Sequence, residues 1–261
     1  MIAALYVETG GAYYGLDGVD PWDEARDARL YPGPHPVVAH PPCSRWCRLA
    51  GLVEARWGHR RGEDGGCFAA ALAAVRTWGG VLEHPAYSDA WARFDLPVPP
   101  RSGGWVRGID GGWACHVEQS RYGHVAKKAT WLYAFGAPAL PSLRWGSSLD
   151  SEITALVSWC GNHVRSGEIR PRVGKAAAAR TPEAFRAMLI ELAASSRGES
   201  RGSLPPETAD APKDPRNLER EKGLEPSTST LARVQPITGD DVDAEKQGDS
   251  ERDGGATDDA R

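Results

Sequence analysis

The first half of the chain contains several short apolar runs and one segment in which apolar residues recur at helical spacing. The runs at 5–8, 36–39, 81–83, 114–119 and 129–135 predict β-strands. Between the second and third runs, Phe68, Leu72 and Val75 recur at helical spacing, which predicts a helix over 67–78 that Gly79 and Gly80 end. The order strand, helix, strand is the unit of a parallel α/β sheet.

The rest of the first 195 residues adds one more helix and one long loop. Thr181 and Pro182 predict the start of a helix that runs to Ala194, with Thr181 as its cap. Its expected buried face consists of Phe185, Met188, Leu189 and Leu192. Residues 95–113 are rich in Pro, Gly and Arg, which indicates an exposed loop. We therefore predict an α/β domain over 1–195.

Composition changes sharply near residue 196. All 21 aromatic residues precede it, and residues 196–261 carry ten Lys or Arg against sixteen Asp or Glu. The net charge of residues 196–261 is therefore −6. Because the whole chain has a net charge of −4, residues 1–195 have a net charge of +2. A segment without aromatic residues cannot bury enough apolar surface to offset its ordering entropy. We expect 196–261 to be a disordered acidic tail without a catalytic role.

The ends and the cysteines of the sequence bear on its location. The first residues lack a basic and apolar leader, and no run approaches the ~20 apolar residues of a membrane span. We expect a soluble, cytoplasmic monomer with reduced thiols. Five cysteines without paired spacing leave one of them free to react, and four are expected to be structural: Cys47, Cys67, Cys115 and Cys160.

Cys43 and Glu83 are the strongest candidates for chemistry. Each follows a predicted strand, and a single helix joins those strands, so both should lie at the carboxyl edge of the sheet, where ligands collect. Pro41 and Pro42 constrain the backbone before Cys43, which suits a nucleophile that meets its substrate at a fixed angle. Arg45 and His40 are expected to favour the Cys43 thiolate by lowering its pKa.

Three segments in this order resemble cytosine-5 DNA methyltransferases, especially the compact phage-type members. Residues 37–44 (VVAHPPCS) look like the strand and Pro-Cys loop of that family, and 81–85 (VLEHP) are similar to its Glu-Asn element, with His84 in the place of asparagine. Residues 119–124 (QSRYGH) with 127–132 (KKATWL) resemble its later Gln/Arg element. The resemblance covers about 37–145.

The resemblance implies a Rossmann-like methyltransferase fold and a covalent reaction on a pyrimidine flipped out of double-stranded DNA. The cysteine, here Cys43, attacks carbon 6, and carbon 5 takes a methyl group from S-adenosylmethionine. Glu83 would contact the base, with Gln119 and Arg121 shaping its pocket. Four residues would contact DNA: Arg45, His124, Lys127 and Lys128.

The cofactor region implied by the resemblance is short, because only 42 residues precede Cys43. The expected contacts to S-adenosylmethionine are Glu8, Thr9 and Gly10 in the first loop, Asp20 or Asp23 as the acidic ribose contact, and Pro41. No helix is evident between the loop and the acidic residue.

Other interpretations remain open from the residues alone. The chain could be a methyltransferase-derived protein that binds DNA without a cofactor, or it could modify carbon 5 from a different donor. His40, Cys43 and Cys47 are close in sequence, but their spacing is not that of a structural zinc site, and no metal is expected. Glu83 could also be an ion-paired carboxylate, and Lys127 and Lys128 a solvated face.

Overall fold

A computed structural model describes residues 1–157 and 170–196. The expected tail lies outside the described residues apart from Ser196, as does Cys160. The strands are β1 (Ile2–Leu5), β2 (Val19–Trp22), β3 (Val37–Ala39), β4 (Gly80–Pro85), β5 (Trp105–Arg107), β6 (Trp113–Glu118), β7 (Ala129–Phe135), β8 (Leu156–Val157) and β9 (Arg172–Val173). The helices are α1 (Ala50–Trp57), α2 (Cys67–Trp78), α3 (Asp89–Arg93), α4 (Lys175–Ala179) and α5 (Glu183–Ser195).

Seven strands form one mixed sheet in the order β2-β1-β3-β4-β7-β6-β5. The first four are parallel to one another, and β7 is antiparallel to both β4 and β6, so β6 runs in the same direction as β4. The connection from β3 to β4 contains two helices, α1 and α2, rather than the single helix expected. Helix α2 contacts both strands, so the strand-helix-strand order and the α/β class are confirmed. Strands β8 and β9 form a separate parallel pair.

Two layers of helix cover the sheet, because alternate strand residues point to opposite faces. Phe68, Leu72 and Val75 of α2 pack with Leu5, Ala39 and Leu82 on one face. The other face carries α5 against the neighbouring strand positions; its members include Ala4, Val38, Val81, Phe185, Leu189 and Leu192. The predicted buried faces of α2 and α5 are confirmed, although Met188 is only partly buried.

Several predicted boundaries were wrong. The first strand is Ile2–Leu5 rather than 5–8, because the fully buried run is the earlier one. Strand β2 was missed, since its four residues are only half-buried and include a proline. Residues 95–113 are not entirely loop: Trp105–Arg107 pairs with β6. Thr181 does not cap α5, which begins at Glu183 after Pro182 without a side-chain cap.

The exposed helix α1 and the short α3 were also not predicted. Only Ala50 of α1 is buried, so this helix has no apolar face that periodicity could reveal. Helix α3 begins at Asp89, with the Ser88 side chain accepting a hydrogen bond from the Ala90 amide. Within the described ranges, no helix is both long and apolar enough to cross a bilayer.

Candidate active site

Several polar side chains meet at the carboxyl edge of the parallel strands. His40 directly follows β3, Glu83 lies near the end of β4, Gln119 directly follows β6, and Thr130 lies at the start of the antiparallel β7. The two predicted residues Glu83 and Gln119 are therefore brought together by the sheet. Strand ends hold such groups more rigidly than loops do.

The carboxylate of Glu83 is fixed on both oxygens. The ring nitrogen Nδ1 of His40 lies 2.9 Å from Oε2, and Nε2 of Gln119 donates to Oε1 over 3.0 Å. The Gln119 amide also donates to Oγ1 of Thr130 over 3.0 Å. Only 12% of the Glu83 side chain is exposed. A carboxylate held at both oxygens keeps one orientation at the edge of the sheet.

Glu83 is ionised at neutral pH. Burial by itself would raise its pKa, but the His40 hydrogen bond and the charge of Lys128 outweigh burial and lower the pKa to about 2. An ionised carboxylate only accepts hydrogen bonds, so Nδ1 of His40 is the donor in this pair.

Tyr13 extends the hydrogen-bonded chain beyond His40. Its hydroxyl lies 2.7 Å from Nε2 of His40, and its side chain is buried. The charge of the ring sets the direction of this hydrogen bond: Nε2 accepts from the Tyr13 hydroxyl when the ring is neutral and donates to it when the ring is protonated. Tyr13, the first residue of the hydrogen-bonded chain Tyr13–His40–Glu83–Gln119, was not predicted, since it lies in a Gly-rich loop without a recognisable motif. His40 was predicted because it is adjacent to the Pro-Pro-Cys segment.

Cys43 lies just beyond β3, where Pro41 is buried and Pro42 exposed. Its carbonyl accepts hydrogen bonds from the amides of Trp46 and Cys47, so the thiol sits at the start of a helical turn. The side chain is half-buried and unpaired with any other cysteine. Glu83 is close enough for its charge to act on the thiol.

The expected depression of the Cys43 pKa was wrong. Burial, and next the neighbouring Cys47 and Glu83, raise its pKa to about 11, while Lys128 acts in the opposite direction. Arg45 is not among the groups that lower it, and His40 is engaged by Glu83 and Tyr13. The resting thiol is therefore protonated, and Lys128 is the cation that favours thiolate.

We expect alkylation of Cys43 by iodoacetamide to increase with pH up to about 11, because the thiolate is the reactive form. Lys128→Met should slow this reaction several-fold at a fixed pH, since it removes a charge that lowers the thiol pKa. Lys127→Met is the matched control, because Lys127 pairs with Glu118 instead, at 3.2 Å. Mass spectrometry of the digested protein measures both. Equal slowing by the two variants would contradict the assignment to Lys128.

His84 does not hold Glu83, although it follows it in sequence. The two side chains point to opposite faces of β4. His84 is fully buried against the rings of Phe68 and Trp91, at centroid distances of 5.2 and 6.3 Å. Burial lowers its pKa to about 4, so it is neutral. His40 and Gln119, not His84, hold the Glu83 carboxylate.

Arg121 and His124 are placed away from the Glu83 carboxylate. The Arg121 guanidinium donates to the carbonyl of Trp145 and lies 3.9 Å from Glu152. His124 is buried, and its Nδ1 lies 2.7 Å from the carbonyl oxygen and 3.1 Å from the amide nitrogen of Ala126. Neither arrangement matches its expected role: Arg121 braces a neighbouring loop, and a buried His124 is not presented to a phosphate.

The two lysines have different roles. Lys127 neutralises the buried carboxylate of Glu118, whose other oxygen accepts from the amide and hydroxyl of Ser148 at 2.7 and 2.6 Å. Lys128 donates to the Ala179 carbonyl over 3.3 Å, and its charge acts on both Cys43 and Glu83. Lys128 is thus part of the site, whereas Lys127 is a structural counter-ion.

The region expected to hold S-adenosylmethionine lies at the carboxyl ends of β1 and β2. The chain leaves β1 for β2 on one side and then reaches β3 on the other, so the strand order reverses between β1 and β3. Ligands of doubly wound sheets bind at such a reversal. Glu8 is exposed there, and Gly10, at φ +68°, has open space around it. As expected, no helix separates β1 from β2.

The acidic side chains of this region already have partners. Asp23, directly after β2, accepts hydrogen bonds from the hydroxyls of Thr9 and Tyr14 at 2.7 and 2.6 Å, which lower its pKa to about 2. Asp20 lies inside β2 and pairs with Arg26 at 2.6 Å. Asp23 thus lies at the strand-order reversal with its carboxylate already engaged by Thr9 and Tyr14.

Comparisons with known proteins add nothing to this geometry. No family model, curated protein or solved structure matches the chain. Among residues 1–157 and 170–196, no three His, Cys, Asp or Glu side chains are grouped as metal ligands.

Proposed function

We propose that this chain is a DNA-modifying enzyme of the cytosine-5 methyltransferase type, with Cys43 as its nucleophile. The observation that carries the proposal is the convergence of Cys43 and Glu83 at the carboxyl ends of two adjacent parallel strands, β3 and β4. His40 and Gln119 hold the carboxylate in one orientation, and its charge acts on the Cys43 thiol.

The side chains suit addition to a pyrimidine ring. The Glu83 carboxylate can accept a hydrogen bond from the 4-amino group of a flipped cytosine and favour a proton at N3, which makes carbon 6 electrophilic. The Cys43 sulfur then forms a bond to carbon 6, and the electron pair of the 5,6 double bond passes to carbon 5. The thiol passes its proton to water, and Lys128 stabilises the thiolate that forms. A proton can move along the hydrogen bonds that join Glu83, His40 and Tyr13 when the charge on Glu83 changes.

S-adenosylmethionine, when bound at the β1–β3 reversal, supplies the methyl group for carbon 5. Thr9, Gly10 and Asp23 would hold it, with Glu8 and Pro41 at the edge of the site. Water then takes the carbon 5 proton, and the electron pair of that bond re-forms the 5,6 double bond as the carbon 6–sulfur bond breaks and the Cys43 thiolate leaves. The proposed substrate is double-stranded DNA, because the target base must leave the stack to reach a thiol at a sheet edge.

Trapping on 5-fluorocytosine DNA tests the proposal. Fluorine replaces the proton that must leave carbon 5, so the Cys43–carbon 6 bond persists after transfer. We expect the protein with S-adenosylmethionine to form a denaturant-stable adduct with a randomised duplex library that contains this base, mapped to Cys43 by mass spectrometry. Cys43→Ser should abolish the adduct, whereas the matched variant Cys47→Ser should retain it. An adduct that Cys43→Ser still forms would overturn the proposal.

A second candidate is a DNA-binding protein that no longer uses a cofactor. The engagement of Asp23 by Thr9 and Tyr14 favours it, because the ribose contact is filled from within the chain. Calorimetric titration with S-adenosylhomocysteine separates the two candidates. Binding supports the enzyme, and DNA binding without any cofactor binding supports the second candidate.

A further inference from the structure

Tyr87 stands out at the same edge of the sheet, four residues after Glu83. Its backbone has a φ of 64°, a left-handed conformation that is costly for a bulky residue. The residue is 44% exposed. Glycine or asparagine would suit this backbone better. Part of the ring is open to solvent, so it can contact a ligand.

The ring of Tyr87 rests on buried aromatic residues. Its centroid lies 5.2 Å from Trp131 and 6.3 Å from His116. Trp131 itself lies 5.4 Å from Trp91, and its indole nitrogen donates to Nδ1 of His116 over 3.2 Å. Because these three supports are buried, the Tyr87 ring is held in place while part of it remains open to solvent.

One guanidinium lies beside this ring. The Arg48 guanidinium lies 5.8 Å from the ring centroid. The segment 44–62, which follows Cys43, carries five arginines against one glutamate. The Trp46 carbonyl accepts from the Asp89 amide over 2.8 Å, and Arg61 pairs with Asp89, so this segment is attached beside the start of α3, next to Tyr87.

We propose that Tyr87 is a stacking platform for an unpaired nucleobase next to the Cys43 site, with Arg48 contacting the adjoining phosphate. An exposed aromatic face with a neighbouring guanidinium is the arrangement by which proteins bind single-stranded nucleic acid. The inference rests on the proposed function, since it assigns Tyr87 to a base near the flipped one. It places the unpaired strand along the arginine-rich segment 44–62.

Binding to a fluorescein-labelled, mixed-sequence single-stranded oligodeoxynucleotide tests this platform. Base-aromatic stacking at its usual strength predicts that Tyr87→Gly weakens binding by about 5- to 150-fold. Tyr87→Phe keeps the stacking ring and should bind like the wild type. Ile109→Asn, at an exposed apolar side chain in another loop, should also bind like the wild type. Arg48→Gln should reduce the slope of log affinity against log salt by about one.

The outcomes separate this inference from the proposed function. Wild-type binding by Tyr87→Gly, or an equal loss in Ile109→Asn, overturns the platform, and the trapping experiment at Cys43 is unaffected by either result. If the wild type forms no adduct while Tyr87→Gly alone loses single-strand binding, the platform is supported and the enzyme is not. Thermal melting of each variant checks that it is folded. A Tyr87→Gly protein that loses binding because it is unfolded is replaced by Tyr87→Asn, which suits the same backbone.

Discussion

Replacing Glu83 by glutamine is expected to reduce adduct formation at Cys43 by roughly 10²- to 10⁴-fold, the usual effect of removing a group that assists proton transfer. Glutamine keeps the shape but cannot accept hydrogen bonds on both ends. His40 and Gln119 both donate to this position, so one donor would face the new amide group. The rate of trapping on 5-fluorocytosine DNA measures the effect.

The matched control is Glu118→Gln. Glu118 is also a buried carboxylate at the carboxyl end of a strand, but it is held by Ser148 and Lys127. We expect this variant to lose stability and to keep the trapping rate of the folded protein near that of the wild type. Equal rate losses in both variants would show that Glu83 acts only through the fold.

Glu83→Gln also changes how the free energy of unfolding depends on pH. The pKa of Glu83 falls from its ordinary value of 4.5 to about 2 on folding, so ionised Glu83 favours the folded state. This stabilisation is present above pH 4.5 and is lost as the pH falls towards 2. The difference in free energy of unfolding between wild type and Glu83→Gln should therefore shrink over this interval. Urea titrations at several pH values measure it, and a constant difference would contradict the pKa shift.

Gly80→Ala is the second change with a large expected effect. Gly80 begins β4 with a φ of 122°, and a Cβ atom there would lie 2.0 Å from the Val37 carbonyl oxygen. Backbone of β3 cannot move aside without breaking its pairing with β4, so we expect a loss of about 4 kcal/mol or more in free energy of unfolding. The strand displaced is the one that leads to Cys43, so the trapping rate should fall as well.

Gly104→Ala controls for backbone strain alone. Gly104 also has a positive φ, of 92°, but no atom lies within 4 Å of a Cβ atom built there. This variant should lose only about 1–3 kcal/mol, the cost of an unfavourable conformation. Urea unfolding compares the two. Similar losses would mean that strain, and not the approach of β3, accounts for the effect at Gly80.

Strands β3 and β4, which end at the candidate active site, show what a local sequence pattern can predict. The apolar run before Pro41 and the run before Glu83 were sufficient to predict β3 and β4, because both strands are buried on each face. The helical spacing of Phe68, Leu72 and Val75 predicted α2 at its observed bounds. Those three elements alone placed Cys43 and Glu83 at one edge.

Elements without a buried apolar pattern could not be predicted in this way. Strand β5 is half-exposed, and α1 buries one residue, so neither has the periodicity that identifies a core-facing element. The pKa of Cys43 was also beyond sequence reasoning. Neighbours in sequence suggested that cations would lower it, but burial has the larger effect and cannot be read from a local segment.

The amino-acid sequence by itself determined the α/β class, the strand-helix-strand unit and the shared position of Cys43 and Glu83, because all three follow from the order and period of apolar residues. Only the tertiary structure decided which groups surround them. Tyr13, His40, Gln119 and Lys128 come from four separate segments, and Lys127 and His124 are directed elsewhere although they lie close to Lys128 in sequence. Distances between such segments depend on strand order and packing, which no local pattern specifies.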